Sequence, residues 1–294
     1  VLKIEDTEIE DDMVITYHAV TPGKNVARKG EDIKEGDKIL ERGTALMAEH
    51  VALLSSLGHD KVSVRKKPRI SVFASGDELI KPGKLLAPGK IYESNTPMIS
   101  SLVQLYGGSI IKEAMVKDDK EALQRALLES VSESDIVLFT GGTSVGSKDY
   151  LPEVMEENGS ILTHGVAMRP GSPLLIGMAD QTLVFCLPGT PVAAYVCFLT
   201  FVGPAIRKML GCKKLDPRPV VLATLNRDIP VSSLGYIHHL RVKLERKEKN
   251  FIATPVKLKG SGVITSLTRS DGIVEIQPHE EGLKKGDTVE VKLL

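Results

Sequence analysis

Residues 140–150 read TGGTSVGSKDY and directly follow the apolar run 135–139. A buried strand hands over to an anion-binding loop in this way. Gly141 and Gly142 let the backbone approach a ligand closely or take positive φ. Ser144 and the loop N–H groups can donate to phosphate oxygens, and a helix predicted over 149–158 adds its unpaired first-turn N–H groups. Asp149 falls at the cap position of that helix, which is also where a carboxylate can hold a cation. A strand-to-helix turn that merely needs glycine accounts for the same residues, and only the other motifs weigh against it.

Ser75-Gly76-Asp77-Glu78-Leu79 sets two adjacent carboxylates beside a glycine, suited to a metal ion or a polar ligand; a helix cap or turn explains them equally well. Asp119 reads as the cap of the next helix, which leaves its neighbour Asp118 for chemistry. Mg²⁺ needs few protein carboxylates, and Glu78, Asp118 and Asp149 together could supply them. Arg169-Pro170-Gly171-Ser172-Pro173 places a guanidinium beside a rigid turn, suited to gripping an oxyanion. Leu187-Pro188-Gly189-Thr190-Pro191 ends another apolar run, with Pro191 at a helix's first turn, where a missing N–H costs nothing. Loop rigidity is the simpler reading of either proline turn alone.

Other candidates fail on spacing. The stretch GKLLAPGK at 83–90 has five residues between its glycines and Ile91 where a phosphate-binding loop needs Ser or Thr. His238 and His239 are adjacent in an expected strand and point to opposite faces, so they cannot share a metal. Cys186 has an apolar context and no histidine near it in sequence, as a core thiol does.

Three zones must position these residues. Up to about residue 66, short strands (13–18, 61–64) alternate with glycine turns and one helix, 48–57, which carries Val51, Leu54 and Leu57 on one face and stops at Gly58. Residues 65–69, RKKPR, read as a solvated linker. From 67 to 215, strands at 70–74, 109–116, 135–139 and 183–187 alternate with helices at 96–106, 120–131, 149–158 and 191–209. In the second of these helices Leu123, Ala126, Leu127 and Val131 form the core stripe. Such an order implies a mostly parallel sheet covered on both faces, with ligands collecting at the carboxyl ends of its strands. After Asp216-Pro217-Arg218-Pro219 the pattern turns to strands (220–225, 236–245, 251–257, 272–277, 288–293), which fit a small β-barrel or sandwich over 216–294.

Bulk composition bounds the rest. With 294 residues the chain can bury more than one core, and 38 basic against 38 acidic side chains leave no net charge. That balance opposes a nucleic-acid or acidic-membrane surface. The apolar run 192–202 is shorter than the roughly twenty residues of a span and reads as a buried helix. Three cysteines without C-x-x-C spacing suggest neither a disulfide framework nor a zinc site, and fit a cytoplasmic setting.

Taken together, SGDEL, VKDDKEAL, TGGTSVGSKDY, MRPGSP and LPGTPVAAY follow the order and approximate spacing of one family. The chain resembles the MoeA proteins (molybdopterin molybdenumtransferases) and the E domain of gephyrin and its plant counterpart. NVARKGEDI at 25–33 and GSG…SLTRSDG at 260–272 extend the resemblance over essentially the whole chain. TGGTSVG alone is not specific, because MogA-like adenylyltransferases and CinA-like proteins share it.

The resemblance implies a central MogA-like three-layer α/β/α domain, a partial α+β region before it and a C-terminal β-barrel. It implies an enzyme that cleaves AMP from adenylated molybdopterin and sets molybdenum, from molybdate, on the dithiolene sulfurs, with Mg²⁺. Residue by residue, Glu78, Asp118 and Asp149 match the family's functional carboxylates, here catalytic and metal-holding. Ser75, Asp77, Gly141, Gly142, Thr143, Ser144, Val145, Gly146, Pro188 and Pro191 fall where the substrate binds, and Arg169, Ser172, Arg241 and Ser261 where molybdate does. A homodimer and a MogA-like partner enzyme go with it. Two departures stand out. Ser172 replaces a lysine of the family's KPGKP, and the NSAMDGYA segment is missing, so an upstream region of roughly a hundred residues is expected. The alternatives are a MogA-like adenylyltransferase and a non-catalytic, gephyrin-like scaffold.

Overall fold

The computed structural model describes residues 1–141, 150–248, 250–256 and 260–294. By contacts, Val1–Thr44 and Ala45–Leu294 form two compact units. In the first, β1 (Thr7–Glu10) and β2 (Met13–Thr16) pair antiparallel across a turn in which Asp11 takes φ 50°. None of its residues is buried.

The second unit opens with α1 (Ala48–Ser56). Gly58, at φ +84°, donates to the Ser55 carbonyl while His59 donates to Leu54, the paired bonds of a glycine C-cap. The expected apolar face is uncovered: Val51 is 54% exposed and no residue of α1 is buried. The strand expected at 61–64 does not form, since these exposed residues have no pairing partner.

Next come β3 (Arg69–Ser75), a ribbon of β4 (Leu79–Ile80) and β5 (Ile91–Tyr92), α2 (Asn95–Leu105), β6 (Ser109–Val116), α3 (Lys120–Val131), β7 (Ile136–Thr140) and α4 (Tyr150–Asn158). They are followed by β8 (Ser160–His164), β9 (Met168–Arg169), β10 (Leu175–Ala179) and β11 (Thr182–Leu187), then by α5 (Pro191–Cys197) and α6 (Gly203–Met209). The sheet order is β6-β3-β7-β11-β10-β8, with β6, β3, β7 and β11 mutually parallel and β10 antiparallel to both its neighbours. The sheet is therefore mostly parallel, as expected. β8 and β10 escape the sequence reading, because β10 and β11 merge into one apolar stretch broken only by a two-residue turn at Asp180 and Gln181.

Alternation along the strands feeds two cores. Ile136 and Leu138 of β7 join α2, α5 and α6 on one face, whereas Val137 and Phe139 join α3 and α4 on the other. Asp119 caps α3 through a 2.8 Å bond from the Ala122 amide, as expected. The helix expected over 191–209 is continuous but passes through a π turn, Phe198–Val202, just before Pro204. Proline has no N–H to return to the preceding turn, and the wider turn accommodates its ring. By length and composition this helix could cross a membrane; its inner residues, Val192 to Val202, sit instead in the core.

The last part contains β12 (Val220–Leu225), β13 (Ile229–Pro230), β14 (Ile237–Lys247), β15 (Asn250–Pro255), a short α7 (Thr265–Thr268), β16 (Gly272–Ile276), β17 (Gly282–Leu283) and β18 (Thr288–Leu293). The order β15-β12-β18-β16-β14 closes through a β14–β15 pairing, so a five-stranded barrel forms rather than a sandwich. Its interior holds Val242, Val274, Val289 and Val291, with Leu240 and Leu244 packed against them.

Candidate active site

The chain order of the parallel strands reverses beside β3, with β6 on one side and β7 on the other, and ligands collect at such a switch point. Close backbone packing holds the carboxyl ends together there. Gly141 has φ +99°, and a Cβ on it would lie 2.1 Å from the Ser75 carbonyl oxygen. Its amide donates to Leu187 at 3.1 Å, and the Gly189 backbone packs against it in turn. Asn95 Nδ2 donates to the Gly189 carbonyl at 2.8 Å, tying the proline turn to the start of α2.

A cavity of about 1380 Å³ opens over these ends, lined from the sheet side by Ser75, Gly76, Glu78, Asp118, Gly141, Pro188 and Pro191. Ser75 Oγ donates to Asp118 Oδ1 at 2.7 Å, which fixes that carboxylate. The carboxylate of Glu78 folds back over Gly76, its oxygens 2.9 Å from where a Cβ would be. Asp77 is exposed and does not line the cavity; its carbonyl accepts from Lys90 Nζ at 2.5 Å. Gly142, Thr143, Ser144, Val145, Gly146 and Asp149 lie outside the described residues.

The barrel supplies the opposite wall. β9 pairs in parallel with β14, matching His238 to Arg169, and so carries the arginine turn to the barrel edge. The Arg169 guanidinium lies 4.5 Å from the Tyr236 ring centroid and donates to Ser232 Oγ at 3.4 Å. Gly171 sits directly on Cys197: a Cβ there would be 2.6 Å from its Sγ. Burial pushes the Cys197 thiol up to about 12, so it is a packing group and not a nucleophile. Ser172 and Ser261 complete this side, and the Ser261 carbonyl accepts the Val192 amide at 3.0 Å, satisfying a first-turn donor of α5.

Arg241 also lines the cavity, on the outer face of β14. Burial lowers its pKa; among the described residues its Nε has no hydrogen-bond partner, and its Nη1 donates to the His239 carbonyl at 3.3 Å. A desolvated guanidinium with no carboxylate partner among the described residues is half of an anion site.

Two further residues were not legible in the sequence. Glu93 is 6% exposed and accepts the Thr96 amide at 2.8 Å, anchoring the start of α2. His239, also 6% exposed, lines the cavity; burial lowers its pKa to about 4. The signal for His239 was its two-residue offset from Arg241, which puts both on one face of a strand.

Among the described residues no group of three His, Cys, Asp or Glu side chains could hold a metal ion. Glu78 and Asp118 nonetheless present hard carboxylate oxygens on neighbouring loops of one cavity, a donor set that fits Mg²⁺ completed by water and phosphate.

Comparison with known proteins agrees along the chain. Residues 1–58 match the family described as MoeA N-terminal region (domain I and II), 71–208 the "Probable molybdopterin binding domain", and 223–294 the MoeA C-terminal region (domain IV). A Methanocaldococcus jannaschii protein named for molybdopterin biosynthesis is 38% identical over 292 residues, which cover 97% of this chain and 69% of that protein. A molybdopterin molybdenumtransferase of Staphylococcus epidermidis is 33% identical, over 92% of this chain and 64% of its own length. A solved MoeA molybdopterin biosynthesis protein of Pyrococcus horikoshii aligns with TM-score 0.81 and 35% identity, over all of this chain and 71% of that one. The chain thus spans about two thirds of the length of these relatives.

Proposed function

The chain belongs to the MoeA family of molybdenum cofactor biosynthesis, and from that premise we propose that it inserts molybdenum into adenylated molybdopterin with release of AMP. One observation carries the reading: a single cavity brings carboxylates from the sheet ends to face arginines from the barrel side. Acidic groups at one wall suit a cation that neutralises phosphate, and guanidiniums at the other suit a tetrahedral oxyanion.

In this reading Gly141 and the strand-end backbone hold the phosphate end of the adduct, with no Cβ to keep it away. Mg²⁺, when held by Glu78 and Asp118 with Asp149 as the expected third carboxylate, would neutralise charge on the linkage to AMP. Arg169 and Arg241, with Ser172 and Ser261, hold molybdate at the opposite wall. The rate gain then comes chiefly from holding oxyanion and dithiolene together in one cavity. Pro188 and Pro191 keep the strand-to-helix turn rigid, and Asn95 pins it.

A homodimer, cytoplasmic location and supply of the adduct by a MogA-like partner belong to the same proposal. The test is to incubate the protein with the AMP adduct and Mg²⁺, with and without molybdate. AMP release that depends on molybdate and consumes no ATP supports the transferase. ATP consumption with unadenylated molybdopterin would mark an adenylyltransferase, and neither activity would leave a scaffold.

A further inference from the structure

We propose that His239 takes up a proton when a tetrahedral dianion binds in the part of the cavity lined by Arg169 and Arg241. The inference rests on the oxyanion reading of that cavity and adds a third, conditional positive charge to it.

His239 and Arg241 are two residues apart on β14, opposite Glu275 and Ile273 of β16. Leu240 and Val274 of the same strands fill the barrel. His239, Arg241 and Glu275 therefore share the outer face, turned toward the α/β domain, where Ile273 joins that domain's core. His239 is buried and lines the cavity, yet among the described residues its Nδ1 has no hydrogen-bond partner. A nine-tenths buried ring nitrogen without a partner among the described residues, beside two arginines, is a group awaiting a ligand or a proton.

Burial disfavours the charged ring most, and the charged groups around it act in both directions. Glu275 Oε1 is 3.7 Å from Nε2, and it and the Arg169 backbone favour the charged ring. Lys292, which binds that carboxylate at 2.7 Å, and Arg218, paired with Asp216, oppose it, and burial opposes it most. With Arg169 and Arg241 bare, a further cation is unfavourable. A dianion in the cavity reverses the local field, and the proton follows from solvent. The site thereby recovers charge at a position other than Ser172.

Calorimetry of molybdate binding between about pH 6.5 and 8, where molybdate itself does not titrate, tests this in buffers of different ionisation enthalpy. The expected result is net proton uptake, with affinity falling as pH rises, by up to about tenfold per unit. His239→Gln should still bind molybdate, more weakly, without proton uptake. Buffer-independent heats in the unmodified protein, or uptake that persists in H239Q, would overturn the role of His239 alone. No molybdate binding in any buffer would overturn the oxyanion reading with it.

Discussion

Ser75 donates its hydroxyl to the Asp118 carboxylate across 2.7 Å, linking the end of β3 to the loop after β6. Asp118 is a candidate ligand, and Ser75 orients it. Ser75→Ala should lower molybdate-dependent AMP release about 10- to 100-fold and raise the Mg²⁺ concentration needed for half-maximal rate. Thermal unfolding should stay near that of the unmodified protein. An unchanged Mg²⁺ dependence would detach Asp118 from cation binding.

Gly141 cannot accept a side chain. Its φ of +99° and the Ser75 carbonyl 2.1 Å from a notional Cβ both oppose one. Gly141→Ala should therefore destabilise the fold by roughly 2–4 kcal/mol, well beyond the loss of glycine's flexibility alone. Urea unfolding of the two proteins measures the difference.

Arg241 is held partly buried with no carboxylate partner among the described residues, which leaves its desolvation uncompensated by them. Arg241→Met should leave stability unchanged or raise it slightly, because the charge is removed while the chain still fills the space. Molybdate affinity should fall by ~10- to 150-fold, the loss of a charge-assisted hydrogen bond of ~1.5–3 kcal/mol. Opposite movement of melting temperature and affinity identifies a binding residue rather than a structural one.

Cys197 gives an alkaline signature. Burial raises its folded pKa to about 12, so the folded state keeps a proton that the unfolded chain releases near its lower, ordinary value. The stability this contributes is full below the unfolded pKa and is lost as pH rises through that window toward 12. Cys197→Ala should remove this part of the alkaline decline, an effect on the order of 4 kcal/mol at most. Stability curves from about pH 8 to 11 that fall in parallel would contradict it.

Much of the frame was readable from pattern. The β3, β6, β7 and β11 runs, the α3 stripe of Leu123, Ala126 and Leu127, and the Asp119 cap all follow from local periodicity and capping chemistry. β8 was missed because a strand at a sheet's end, part exposed, has a weak apolar signature: it reads Ser160–His164 and is almost wholly uncovered; β10 was missed because it runs into β11 across a two-residue turn. Residues 61–64 show the opposite error, since alternation alone does not make a strand without a neighbour to pair with.

The sequence by itself determined the chemistry: which carboxylates, glycines and guanidiniums could serve, and that strand ends would carry them. Spacing encodes local geometry, and side-chain type encodes charge and hydrogen-bonding capacity. Only the tertiary structure decided which of them meet. Glu78 and Asp118 share a cavity with Arg169 and Arg241 because β9 crosses to pair with a barrel strand nearly seventy residues later, at His238 and Arg169. His239, with a ring nitrogen that has no partner among the described residues, emerged only there, since burial and the charges around a ring are properties of the packed chain.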